Sequence, residues 1–399
     1  MVIIMNGQSK RTVYADHAAT VPITDRVRAA IEPFLCERFG NPSSIYRYGR
    51  EASRAIFTAR KQIAELFGCH PQEIYFTSGG TESDNLAVKG TAFAHDHAAH
   101  GQHAAFGGHM VATAIEHHAV LHSMQFLERC GMEVTYVMPD TNGIVSPDAI
   151  LDACREDTVL VAVMLANNEI GTIQPIRDIA DAIHEYGIPL FCDAVQGMGQ
   201  IPVNPIALGA DMLSLSGHKI GAPRGGGLLY VRSGTPLLPL IDGGGQEMGM
   251  RSGTENTAAI VGLSQAMQDA AAETVEHARY LRGLSDALFR ALECLPHCMV
   301  NGTKDPLYRL PGNVNVSFPG LDAESMVLHL DRLGIAASAG SACTAGKVAP
   351  SHVLTSIGRD DAAAASSLRF TFGRENTMDD VIYIAEAVKH VTETLYAMQ

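Results

Sequence analysis

From about residue 70 to about 235, short apolar runs alternate with stretches in which apolar residues recur at helical spacing. EIYFT (73–77) is followed by ESDNLAVKGTAFA (82–94), and HMVATA (109–114) by EHHAVLHSMQFLERCG (116–131). EVTYVM (133–138) comes next, and TVLVAVML (158–165) precedes IRDIADAIHEYG (176–187). IPLFCDAV (188–195), DMLSLSG (211–217) and GGLLYV (226–231) complete the series. Strands alternating with helices predict a mainly parallel sheet with helices on both faces. In such sheets ligands bind beyond the carboxyl ends of the strands, so the residues after each apolar run deserve inspection.

Near 258 the pattern changes. A long amphipathic stretch (257–295) reads as one or two helices. Strand-like NVNVSF (313–318), helix-like DAESMVLHLDRLG (322–334) and a last helix from about 378 follow. These predict a second, smaller α/β domain with the N-terminal segment packed on it. The expected division is a large domain over 16–257, and a small domain made of 1–15 and 258–399.

The length of 399 residues accommodates both. A net charge of −14 argues against a nucleic-acid partner. No apolar run is long enough to span a bilayer, so no membrane role is expected. The start, MVIIMNGQSKRTVYAD, lacks the layout of a signal peptide, and the eight cysteines show no CxxC spacing. Together these predict a cytoplasmic protein with reduced thiols.

The segments after the strands carry the chemistry. SGGTES (78–83) opens a helix with two glycines and a threonine, which suits a phosphate at exposed N–H groups as well as an ordinary capped start. ANNEIG (166–171) pairs two asparagines that need partners, from a turn or a ligand. Asp193, ending an apolar strand, is either a helix N-cap or the ion-pair partner of a protonated ring nitrogen; Gln196 is placed to reach a neighbouring ring oxygen. SLSGHK (214–219) supplies Ser216, His218 and Lys219, and a lysine shielded from water becomes a nucleophilic amine. Aspartate for a pyridinium, lysine for an aldehyde and a helix start for a phosphate specify pyridoxal 5'-phosphate (PLP) on a lysine Schiff base. One histidine of IEHHAV (115–120) is placed to stack on that ring and to move protons.

At this level of detail the sequence resembles the cysteine desulfurases of the class V aminotransferase group. The likeness is carried in order by VYADHAAT, FGNPSS, FTSGGTESDN, EHHAV, NNEIGT, DAVQ, SGHK, MRSGTEN, GSACTAG and SSLRFTFGR. It implies PLP fold type I, with a mainly parallel seven-stranded sheet in the large domain and a smaller α/β domain. It also implies that Lys219 is the Schiff-base lysine, that Asp193 pairs the pyridine nitrogen, and that Gln196 bonds the phenolic oxygen. His117 would stack on the ring; Gly80, Thr81, Ser216 and His218 would bind the phosphate. Thr254 would reach the phosphate of a partner subunit, which makes the protein a homodimer. Asn168 and Arg369 would hold the carboxylate of L-cysteine, for which guanidinium is chemically suited.

Cys343 in SAGSACTAG lies among small and polar residues. The resemblance implies that its thiolate takes sulfur from cysteine, releases alanine and passes a persulfide to an acceptor such as an iron–sulfur scaffold. Pro350 follows seven positions later, a spacing similar to the long-loop desulfurases. Val21 and Arg224 depart from the family pattern of threonine and lysine. A selenocysteine lyase or another class V PLP enzyme is the alternative. The family pattern leaves out AHDHAAHGQHAAFGGH (94–109), whose His95, His97, His100, His103 and His109 form either a metal site or a solvated helix extension.

Overall fold

The computed structural model describes residues 11–100, 107–339 and 350–398. The strands are β1 (Val13–Tyr14), β2 (Ile74–Thr77), β3 (His109–Thr113), β4 (Glu133–Val137), β5 (Thr158–Ala162), β6 (Leu190–Asp193) and β7 (Met212–Ser216). They continue as β8 (Gly227–Val231), β9 (Met299–Val300), β10 (Asn313–Ser317), β11 (Ile335–Ala336), β12 (Ser338–Ala339) and β13 (Ser367–Thr371). The helices are α1 (Asp25–Cys36), α2 (Arg47–Phe67), α3 (Gly80–His100), α4 (His118–Arg129), α5 (Pro147–Ala153) and α6 (Ile176–His184). After them come α7 (Pro205–Leu208), α8 (Thr257–Leu292), α9 (Ala323–Arg332), α10 (His352–Ser356), α11 (Asp361–Ala365) and α12 (Met378–Tyr396).

The larger sheet has seven strands in the order β2-β8-β7-β6-β5-β3-β4. All its pairings are parallel except those of β8, which runs antiparallel to β2 and β7. Strands β3, β6 and β7 are buried along their whole length, as strands covered on both faces must be. Successive residues alternate between two cores. Val111, Val161, Cys192 and Leu213 pack with Ile63 of α2, Ile179 of α6 and Leu263 of α8. Met110, Leu160, Phe191 and Met212 pack with Leu86 of α3 and Met124 of α4. By this parity Asp193, Ser214 and Ser216 lie on the face that α3 and α4 cover.

A second sheet, β12-β13-β10-β9, is antiparallel, and β1 pairs in parallel with β11. Its core joins Val314, Val316 and Phe370 to Met326 of α9 and Ile384 of α12. The long amphipathic stretch is a single 36-residue helix. Its first half supplies Ile260, Leu263 and Met267 to the larger core. Its second half supplies Leu281, Leu284 and Leu288 to the smaller one.

Among the described residues no helix is long and apolar enough to cross a membrane. The histidine-rich stretch does extend α3 as far as His100, but it is not solvated throughout. His109 opens β3 fully buried, with ring nitrogens 2.8 Å from the hydroxyls of Thr158 and Thr135 on the flanking strands. It is committed to those strands. His103 lies outside the described residues.

Candidate active site

The carboxyl ends of β6 and β7 lie side by side, with Asp193 in register with Ser214. Asp193 is almost wholly buried, and its Oδ1 accepts from the Val195 amide at 3.0 Å. Burial pushes its carboxyl above the usual range, while His117 and Lys219 pull it down. His117 caps the N-terminus of α4, its Nδ1 accepting from the Ala119 amide at 3.2 Å. This fixes the ring against the Asp193 side of the sheet. Burial depresses the imidazole pKa, Asp193 opposes that, and Lys219 adds to it.

Lys219 ends a short turn directly after β7. Its Nζ donates to the carbonyls of Ala18 at 2.5 Å and Ala19 at 3.0 Å. Gln196 Nε2 donates to the same Ala18 carbonyl at 3.1 Å. The two side chains therefore converge on one backbone oxygen.

The start of α3 closes the floor. A Cβ on Gly80 would stand 2.8 Å from Val195 Cγ2 and 3.5 Å from Ser216 Cβ, so glycine allows this approach without the Val195 side chain having to give. Thr81 is exposed at that helix start and Ser216 is buried beneath it. His218 Nδ1 stands 3.3 Å from Thr20 Oγ1, and burial beside Lys219 and Arg224 drops its pKa to about 4. The outcome is a shallow cradle of N–H and hydroxyl groups at a helix N-terminus, adjoining a buried carboxylate, an imidazole and an amine. That donor set fits PLP: anion donors for the phosphate, Asp193 for the ring nitrogen, Gln196 for the ring oxygen and Lys219 for the aldehyde.

Arg369, in the middle of β13, reaches the same region from the second sheet. Its Nη1 donates to the Asn168 carbonyl and its Nη2 to Asp16 Oδ1, both at 2.8 Å. Its Nε is buried and has no partner among the described residues. A guanidinium with one orphaned donor fits an incoming carboxylate. Asn168 is half-buried beside it. Its neighbour Asn167 forms the turn that the sequence left open: Oδ1 accepts from the amides of Glu169 and Ile170, while Nδ2 donates to the Ile115 carbonyl.

Thr254 is exposed in the loop before α8, and no hydrogen bond among the described residues joins it to this cluster. Cys343 lies outside the described residues.

Sequence reasoning missed several groups. Asp16 pairs with Arg369 across 353 positions. Glu116 is buried directly before His117, with its pKa pushed up by burial to about 8. Asp84 of α3 accepts from Ser214 Oγ at 2.6 Å, and burial beside Asp193 raises its pKa well above the ordinary value. Glu169, buried and raised to about 7, accepts from Ser351 Oγ at 2.6 Å. Inspecting the residues after each strand could have found Glu116. Asp16, Asp84 and Glu169 give no local signal.

These features agree with the comparisons to known proteins. Residues 13–384 match the family model for aminotransferase class-V. The chain is 46% identical over 388 residues to the cysteine desulfurase IscS of Methanosarcina thermophila, spanning 97% of this chain and 94% of that protein. Identity to the cysteine desulfurase IscS of Dictyoglomus turgidum is 45% over 387 residues, covering 97% and 96%. A solved structure described as a NifS-like protein superposes with a TM-score of 0.88 at 35% identity, covering 96% of this chain and all of that one. The chain belongs to the class-V aminotransferases, PLP fold type I, and within them to the cysteine desulfurase family.

Proposed function

We propose that the protein binds PLP at the Asp193–Lys219 cluster and removes sulfur from L-cysteine, giving L-alanine and a persulfide on Cys343. The observation that carries this is that buried Asp193, capped His117 and Lys219 follow strands of one sheet at its carboxyl edge, while Arg369, bonded to the Asn168 carbonyl, keeps a buried Nε without a partner among the described residues. When bound, PLP supplies an electron sink for breaking bonds at the substrate's α and β carbons.

The chain's own residues do the rest. Arg369 and Asn168 hold the substrate carboxylate, and the Asp16 carboxylate keeps the guanidinium in place. Lys219 moves the proton at the substrate Cα, and its two carbonyl acceptors aim the ammonium form. Asp193 holds a proton on the ring nitrogen. Gln196 orients the ring oxygen, His117 lies against the ring face, and Gly80, Thr81, Ser216 and His218 take the phosphate. The Cys343 thiolate attacks the substrate sulfur: a new S–S bond forms, the C–S bond breaks, and a proton delivered to Cβ completes alanine.

In this reading residues 16–257 form the cofactor domain, whose core also takes the first half of α8, and 1–15 with 258–399 form the domain carrying Cys343 and Arg369. The pairing of β1 with β11 supports that division. Homodimerisation, with Thr254 reaching a partner's phosphate, is supported by the exposed apolar side chains Leu35, Phe39, Ile45, Tyr46 and Phe57 on and between α1 and α2. The persulfide passes to an acceptor protein such as an iron–sulfur scaffold, in the cytoplasm.

The test measures alanine and reductant-released sulfide from L-cysteine. Lys219→Ala should abolish both products and the cofactor's lysine-bound absorbance. Cys343→Ser should keep that absorbance and release no sulfide. Wild-type sulfide output from Cys343→Ser would defeat the proposal, as would a faster reaction with selenocysteine that leaves cysteine untouched.

A further inference from the structure

Lys219 and Gln196 also border a cavity of about 60 Å³ between the segment after β6, the middle of α8 and the Phe372–Glu375 turn after β13. His17, Gln200, His277 and Glu375 share its lining. Several of its polar atoms have no hydrogen-bond partner among the described residues: both ring nitrogens of His17, Nε2 of His277 and Oε1 of Gln200.

His17 is the most enclosed of these, 5% exposed. Its ring is wedged in place. A Cβ on Gly373 would come within 2.2–2.7 Å of three ring atoms, and the Tyr14 ring meets it edge-on with centroids 4.9 Å apart. The nearest opposite charge is Glu375 Oε2, 3.9 Å from Nε2, on a side chain that is 65% exposed. The buried imidazole thus stands near a surface carboxylate and directly precedes in sequence the Ala18–Ala19 carbonyls that hold Lys219 Nζ.

Leaving this many buried polar atoms unpaired is costly, and a space of this size with several polar groups in a mixed wall has room for water to pair them. We propose that the cavity is a hydrated proton path in which His17 relays protons between the Lys219 amine and solvent at Glu375. The proposal deepens the desulfurase reading and rests on it. A proton that Lys219 has taken from substrate passes to a cavity water. That water gives one of its own to the unprotonated nitrogen of His17. The ring then releases a proton from its other nitrogen toward Glu375 and solvent. Only N–H and O–H bonds break and form, and no electrons are transferred. His17 is a positioning residue for the proton and does not touch substrate.

Charged and titratable groups act on the ring or share the cavity with it. Tyr14 and Asp16 come from its own segment, His277 from α8, Arg374 and Glu375 from the turn after β13, and Lys219 from the turn after β7. Burial depresses the imidazole pKa most; Glu375, Asp16 and the nearby Tyr14 carbonyl favour the charged ring, and His277 opposes it. The ring therefore awaits a proton in its neutral form.

The experiment incubates holoenzyme with L-alanine in D₂O and follows exchange of the Cα proton by NMR across pH. A high-resolution crystal structure of each protein accompanies it. His17→Asn keeps polarity in the cavity but cannot titrate; Glu375→Gln alters only the outer end. Wild type should exchange and show ordered waters bonded to His17, Gln200 and His277. His17→Asn should keep the cofactor absorbance and the waters, yet exchange at least about tenfold more slowly and lose the acidic limb of the pH profile. Glu375→Gln should shift that limb with a smaller loss of rate. Exchange by His17→Asn at the wild-type rate and pH profile overturns the relay, as does a dry cavity at high resolution. A wild type that lacks cofactor absorbance or does not exchange alanine overturns the desulfurase reading itself.

Discussion

Glu116 carries a burden that its position beside His117 does not announce. Its Oε1 accepts from Thr113 Oγ1 at 2.6 Å and from the Met164 amide at 2.8 Å, but its Oε2 is buried without a partner among the described residues. Burial raises its pKa from 4.5 to about 8. Across that window the folded protein holds a proton that the unfolded chain has released. Stability from this group is therefore full below 4.5 and declines as pH rises toward 8, by up to about 1.4 kcal/mol per pH unit. His118 and His218, both depressed to about 4, act oppositely: their contribution is lost as pH falls from 6.5 toward that value. Glu116→Gln should thus gain stability relative to wild type as pH rises from about 5 to about 8. Urea denaturation of the cofactor-free protein measures this, and a difference independent of pH would refute it. At this scale the sequence pointed to Asp193 and Lys219 because each follows an apolar run, and the structure sets both at the ends of neighbouring strands. It concealed Asp16, since only the folded chain brings that carboxylate to Arg369, 353 positions away.

At the scale of elements, the start of α3 is the most constrained junction in the site. Gly79 has φ +156°, and Gly80 lets the helix approach Val195, the residue that orients Asp193 through its amide. Gly80→Ala must displace the Val195 side chain or shift α3 or the Val195 segment. We expect it to weaken PLP binding at least about tenfold, or about 1.4 kcal/mol. Absorbance titration of the cofactor-free variant reads this directly, and unchanged affinity would disconnect the helix start from the cofactor. The strands of the larger sheet were legible because their apolar runs are short and regularly interrupted. The histidine-rich stretch was legible only in part. Composition could not show that His109 belongs to β3 and spends both ring nitrogens on Thr158 and Thr135.

At the scale of the molecule, the change of pattern near 258 pointed correctly to helix. What it could not show is one unbroken helix serving two cores, because amphipathic spacing does not say which body a helical face meets. Between the two buried stretches, Ala271, Ala272, Val275 and Glu276 are exposed. The second sheet brings Arg369 to the larger one, so the span between them matters for the site.

That span makes α8 a stiff axle. Arg369 and Lys219 ride on bodies that share its two ends, so the helix works with the direct bonds from Arg369, Asn313 and Asn315 to the Asn168–Glu169 backbone in holding their alignment. A proline at Glu276, which faces water, would cut the axle at a cost of about 3 kcal/mol while touching neither core. Calorimetry should then resolve two melting events where the parent shows one, and a variant that still melts in a single event would mean that the bodies are locked together by something other than this shared shaft.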